Sequence, residues 1–270
     1  MGKTVHFPLL ACLLVSACGT DNPEDMRTKL MQSWGQEILL SNYESFVEAT
    51  ATLSTGAESL CDGPTAKKLE DLQETWWKAR APWKRMDAFN FGPYTDEPLR
   101  LGPKIDFWPA RISAIDALLA GNGKITEQSL AEGGAANRGM PVVEYLLYAD
   151  AAKDVALWKD APRRCDYLLA STADLHTNAE RMHEAWSPLE GNYLRNLVDA
   201  GQANTAFMDP QAALGEVVNR MAFLVENIRS MKLTKPLGTE GKRSPDTVES
   251  RFSGRSVEDI RDNLSGIATL

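Results

Sequence analysis

Residues 65–88 read TAKKLEDLQETWWKARAPWKRMDA, and this stretch decides the fold. Leu69, Leu72, Trp76, Ala79, Trp83 and Met86 recur in alternating steps of three and four, which sets them on one face of a helix. The same spacing recurs outside it. Residues 28–54 carry Leu30, Trp34, Ile38 and Phe46, and residues 162–186 carry Cys165, Leu168, Thr172, Leu175, Ala179, Met182 and Trp186. Residues 210–231 carry Leu214, Val217, Met221, Leu224, Ile228 and Met231 behind a helix start at Asp209-Pro210. No stretch alternates with period two for long enough to demand a sheet. The expectation is an all-α chain, an up-down helical bundle. Pro82 lacks an N–H and its ring crowds the preceding turn, so a kink or break is expected there.

The first residues are set apart by composition. Lys3 supplies a positive start, Phe7 to Val15 an apolar run too short to span a bilayer, and Val15-Ser16-Ala17 a small-residue cleavage site. Val15-Ser16-Ala17-Cys18 resembles a bacterial lipobox, in which Cys18 is lipidated and anchors the chain to a membrane. Residues 1–17 then read as a signal peptide, 18–28 as a lipidated tether and 29–270 as the helical domain. Gly19, rather than Asp, in the second mature position resembles outer-membrane sorting. The expected location is the bacterial cell envelope, facing the periplasm.

The net charge is −8 with both signs mixed along the chain, and no basic stripe appears, which argues against nucleic acid as a partner. Of four cysteines, Cys61 and Cys165 remain once the leader is removed and Cys18 is acylated. In an exported chain they are expected to form a disulfide, the alternative being two buried free thiols.

Two irregular segments interrupt the helices, one from Phe91 to Pro109 and one from Lys235 to Arg255. The second ends at Ser256 with Asp259 three residues on, which reads as a capping-box helix start. Between them, Gly139-Met140-Pro141-Val142-Val143-Glu144-Tyr145-Leu146-Leu147 reads as a loop breaking into a helix. Gly139 is free to take positive φ, and Pro141 suits a first turn. Glu144 is a lone acid in an apolar run and needs a partner, a proton or a metal ion.

These segments carry a resemblance. Gly139 to Glu144 resembles the G-x-H-x-x-E signature of imelysin-like proteins of bacterial envelopes, with Pro141 where the histidine would stand. Arg80-Ala81-Pro82-Trp83 leading to Asp87 resembles their R-x-P-Y…E segment, with Trp83 for the aromatic and Asp87 for the acid. Phe107-Trp108-Pro109 resembles N-x-W-P, and Val248 to Ser256 is similar to E-x-S-x-F-S-x-x-[ST]. The resemblance implies a pair of helical bundles in a longer chain. Here Val257, Ile260, Leu264 and Ile267 begin an apolar stripe near Leu270, so the second bundle is expected to be incomplete, through truncation, a split gene or a shortened variant.

The family carries a metallopeptidase label, and the resemblance also links it with iron uptake. A hydrolytic zinc site calls for His-rich ligands and an open position. His176 and His183 lie seven apart and outside the motifs, and Pro141 offers no side-chain ligand. Binding is therefore favoured over hydrolysis. Candidate ligand-binding residues are Gly139, Pro141, Glu144, Arg80, Trp83, Asp87, Trp108, Glu249, Ser250 and Ser253, with Glu144 and Asp87 as ligands for iron or another metal ion. The alternative is an Arg80–Glu144 or Arg80–Asp87 ion pair beside an organic ligand or an envelope protein, walled by Trp83, Trp108 and Phe91. A third reading is a structural envelope lipoprotein whose polar motif residues hold two bundles together, and face solvent if the second bundle is missing.

Overall fold

A computed structural model describes residues 22–152, 155–238 and 241–270. The leader and the lipidation reading at Cys18 lie outside the described residues. Among the described residues every regular element is helical.

Helix α1 (Pro23–Ser33) starts behind Asn22, whose side chain accepts from the Glu24 N–H at 3.2 Å. Residues 23–28 are therefore its first turns and not the end of a tether. A wide π-type stretch, Trp34–Leu40, carries the chain into α2 (Ser41–Asp62). Leu30 is exposed and Met31 takes the buried position, which shifts the inner face of α1 by one residue from the expected pattern.

Helix α3 (Ala66–Arg85) is capped by Thr65, which accepts from Lys68 N–H at 3.2 Å. All six seam residues from Leu69 to Met86 are buried. The helix runs through Pro82 instead of breaking there. Pro82 withdraws only the donor for the carbonyl of Lys78, an exposed residue one turn back.

The next four helices of nine residues or more are α4 (Ile112–Ala120), α5 (Met140–Tyr148), α6 (Pro162–Trp186) and α7 (Pro210–Asn227), with shorter ones between them. Asp209 caps α7 by accepting from Ala212 N–H at 2.7 Å, with Pro210 in the first turn, as the sequence implies. The last helix is α8 (Ser256–Thr269).

Helix α2 lies between α3 and α6, and these three build the core. Phe46, Leu53 and Leu60 of α2 are buried, as are Leu72, Trp76 and Trp83 of α3 and Leu168, Leu175 and Met182 of α6. Helix α5 packs on α3 and α6, and α8 packs on α3. At Gly266 the backbones of α8 and α3 meet: a Cβ there would lie 2.1 Å from the carbonyl oxygen of Arg85. The turn of chain before α5 is similarly close, because a Cβ on Gly139 would sit 2.5 Å from the Ile105 carbonyl oxygen. Gly139 takes φ 85°, the freedom expected of it.

Cys61, at the end of α2, is bonded to Cys165, at the start of α6, across a separation of 104 residues. Closing so long a loop in the unfolded chain stabilises the fold by about 4–5 kcal/mol in the chain-entropy account. Reduction, or a Cys61→Ser, Cys165→Ser pair, is expected to lower the denaturant midpoint by that order without changing helical content. Urea unfolding with and without reductant, followed by circular dichroism, checks it.

Candidate functional site

The site grows from one turn of α3. Arg80 and Lys84 lie four residues apart on the same face, and both are buried, at 1% and 4% exposure. Charge placed in such a setting must be answered by acids. Arg80 Nη1 bonds Asp106 Oδ1 at 2.8 Å, while its Nη2 reaches Asp259 Oδ2 at 2.9 Å and Glu249 Oε1 at 3.3 Å. Lys84 Nζ lies 2.7 Å from both Asp106 and Glu249 and 3.5 Å from Asp87.

The network extends on both sides. Lys232, in the π-type stretch Ile228–Thr234 after α7, lies 2.8 Å from Glu249 Oε2 and 2.5 Å from Asn263 Oδ1. Asn263 in turn donates to Asp87 Oδ2 and to the Lys84 carbonyl, each at 2.7 Å. Arg255 pairs with Asp259, and with Asp262 at 2.7 Å. Trp83 fixes Asp106 from the apolar side through its indole N–H, 3.1 Å from Oδ2.

The electrostatics follow from this pairing. Burial pushes the Glu249 carboxyl up, but Lys232, Lys84 and Arg80 outweigh it and hold it well below the usual range. Asp106 is likewise pushed up by burial and drawn down further by Arg80 and Lys84. Burial lowers Lys84, and Asp106, Asp87 and Glu249 raise it well above its ordinary value. Each charged form is stabilised by the others.

Glu144 is held differently. Its Oε1 accepts from Phe252 N–H at 3.1 Å, from Ser253 N–H at 2.9 Å and from Ser253 Oγ at 2.8 Å. The loop before α8 is thus clasped on the side chain of α5. Burial pushes this carboxyl up to about 7 from 4.5, against the lowering effect of the Ser253 bonds and Arg80. Ser250, two residues earlier, sits at φ 48° and donates to Asp259 Oδ2 at 2.5 Å. A non-glycine residue in that region is strained, and here the network holds it.

Over this floor lies a narrow cleft lined by Arg80, Asp106, Trp108, Pro141, Glu144 and Phe252 among others. Its free volume is about 10 Å³, room for about one water. Arg80 Nε and Trp108 Nε1 are buried without a hydrogen-bond partner. A shallow groove of about 550 Å³ adjoins it, sharing Val248, Arg251 and Phe252.

The structure brings Gly139, Pro141, Glu144, Arg80, Trp83, Asp87, Trp108, Glu249, Ser250 and Ser253 to the cleft, the network below it or the backbone supporting them. Several roles differ from expectation. Glu144 holds a loop, and Asp87 is engaged by Lys84 and Asn263. Among the described residues no group of three or more His, Cys, Asp or Glu is disposed to hold a metal ion. Arg80 pairs with Asp106, Asp259 and Glu249, in place of Glu144 or Asp87. Asp259 caps no helix, because Arg80, Ser250 and Arg255 claim it. Phe91 belongs to a separate aromatic cluster with Trp186, Tyr193 and Phe207. Of the motif residues, Arg80, Trp83, Asp87, Gly139, Pro141, Glu144, Glu249 and Ser250 are buried, and Trp108 and Ser253 are half-buried.

Asp106, Lys232, Asp259 and Asn263 were not singled out as site residues by sequence. Asp106 carried the same signal as Glu144, a lone acid among Ile105, Phe107 and Trp108. Lys232 carried none.

Arg80→Met keeps an unbranched stem and takes one buried cation away from Asp106, Glu249 and Asp259. It is expected to destabilise the fold by about 3–5 kcal/mol, read as a loss of urea midpoint. Glu144 gives a pH dependence of opposite sense to a salt-bridged acid. Its folded pKa lies above the unfolded one, so the folded state holds the extra proton between them. Stability is therefore lost as pH rises from about 4.5 to about 7. Glu144→Gln keeps the acceptor oxygen without the charge. Relative to wild type it should gain about 3 kcal/mol between pH 5 and pH 8, measured by urea titrations at both values.

Comparison with known proteins agrees with this geometry. The sequence profile of the Imelysin family matches residues 39–270. A protein of Synechococcus elongatus named iron-regulated protein A is 24% identical over 255 residues, which are 94% of this chain and 66% of that protein. The chain thus spans about two thirds of the length of that relative. Two crystal structures share the fold. One, described as an iron-regulated protein A precursor from Parabacteroides distasonis, has a TM-score of 0.79 at 19% identity, covering 93% of this chain and 74% of the other. The second, an imelysin-like protein from Psychrobacter arcticum, has a TM-score of 0.74 at 20% identity, covering 92% and 74%. The chain belongs to the imelysin family.

Proposed function

We propose that the chain is an exported, lipid-anchored binding or accessory protein of iron uptake, held in the cell envelope through Cys18 and facing the periplasm, on the outer membrane in preference to the inner. The relatives named iron-regulated protein A support the link to iron. The leader ending in Val15-Ser16-Ala17-Cys18 supports export and anchoring. No described helix is long and apolar enough to cross a membrane.

The observation that carries binding over hydrolysis is the allocation of the acids. Asp106, Glu249, Asp259 and Asp87 are each held by a cation, and Glu144 is held by a loop. Pro141 lines the cleft where the family motif has a histidine, and it brings no ligand atom. What stays available is the unbonded N–H of Arg80 and of Trp108 under an apolar shelf of Val248 and Phe252. Such a surface suits an organic ligand or a protein segment that inserts one polar atom, and a bare ion suits it poorly.

A strain lacking the gene is expected to grow poorly under iron chelation and normally in iron-replete medium, with wild type restoring growth. Phe252→Asp should restore it poorly while the protein still accumulates. Equal growth of the deleted and complemented strains under chelation would overturn the reading. Cys18→Ala is expected to release the protein from the membrane fraction.

A further inference from the structure

The Cys61–Cys165 disulfide is not sealed in the core. Both cysteines line a groove of about 850 Å³ between the end of α2 and the start of α6. Cys165 is buried at 9% exposure, while Cys61 is partly exposed and is the more open to an incoming thiol. No residue lining this groove also lines the cleft at Glu144, so the two are separate.

The two sulfurs differ as leaving groups. Thiol–disulfide exchange is faster when the departing thiolate is stabilised. Cys165 lies in the first turns of α6, behind Pro162, where the helix presents its positive end. Cys61 lies one residue before the end of α2, at the negative end, with Glu58 one turn back and Asp62 beside it. Exposure and leaving-group stability select the same direction, attack on Cys61 with departure of Cys165. The groove also selects by charge. Glu58, Asp62 and Asp166 line it against Lys159, three acids and one cation for a net of −2. An anionic thiol is repelled there, and positive charge beside the incoming sulfur offsets the repulsion.

We infer that Cys61 is a site of thiol exchange in the folded protein, for a thiol flanked by positive charge. The incoming thiolate uses its lone pair to bond Cys61 Sγ. The Cys61–Cys165 bond breaks, and its electron pair leaves on Cys165 Sγ, which takes a proton from water. A second thiol then displaces Cys61 from the mixed disulfide. Two thiols are thereby oxidised to one disulfide, and the Cys61–Cys165 pair is reduced to two thiols. The fold survives the step because α2 and α6 stay packed on each other beyond the link.

Cysteamine and mercaptoacetate, a cationic and an anionic thiol, are the probes, used without denaturant on the chain from residue 19. That chain keeps every described residue and has no cysteine besides these two. Acid stops the reaction, N-ethylmaleimide blocks free thiols, and the digested peptides are weighed by mass spectrometry. The early product is expected to carry cysteamine on Cys61 and maleimide on Cys165. With each rate divided by that for a neutral linear peptide disulfide, cysteamine should lead mercaptoacetate by roughly tenfold. That lead should shrink in about 1 M salt, and in a Glu58→Gln, Asp62→Asn variant. A disulfide that opens only in urea strong enough to unfold the protein would overturn the inference. So would cysteamine found first on Cys165, or equal normalised rates for the two thiols.

Discussion

The structure depends on two cations buried one turn apart on α3. Arg80 and Lys84 sit where the helix carries its apolar seam toward the core, and neither has water to stabilise its charge. Their acids cannot come from α3 alone. Asp106 arrives from the irregular segment after α3, Glu249 from the loop before α8, and Asp259 from α8 itself. Segments up to 179 residues away in sequence are therefore brought onto α3 by electrostatic need. The close approaches at Gly139 and Gly266 serve the same end, since each lets a backbone come near enough for an acid to reach α3. A helix whose inward face is Asp259 and Asn263 is stable only because of those cations.

How much of this was legible in the sequence depends on the range of the interaction. The seam of α3, the full length of α6 and the Asp209-Pro210 start of α7 are written in local spacing and capping, and each holds in the structure. The sharp entry to α5 at Gly139 is equally local. The pairing of Arg80 with Glu249 and Asp259 spans 169 and 179 residues, and no periodicity encodes it. Sequence found the motif residues and misassigned their partners for that reason. Lys232 shows the limit plainly, since a lone lysine between Met231 and Leu233 looks like any charge at the edge of a helix seam until the fold closes over it.

Local rules also lost where tertiary contacts outbid them. Ser256 and Asp259 have the spacing of a capping box, yet Asp259 binds Arg80 and Arg255, and Ser256 Oγ donates to the Glu249 carbonyl. Pro82 did not end its helix, because the single bond it removes lies on the solvent side. The apolar stripe of α8 was visible in the sequence, but the sequence could not say that Ile260 and Ile267 pack against the core while Val257 and Leu264 stay exposed.

The central claim is that the acids of this site are taken up by the protein's own groups, Asp87, Asp106, Glu249 and Asp259 by its cations and Glu144 by the loop before α8. Calorimetric titration of the soluble chain with Fe³⁺, Fe²⁺ and Zn²⁺, alongside a Glu144→Gln, Asp87→Asn variant, tests it most directly. The account predicts no stoichiometric binding by either protein. One ion bound per folded wild-type chain, and lost in the variant, would contradict it.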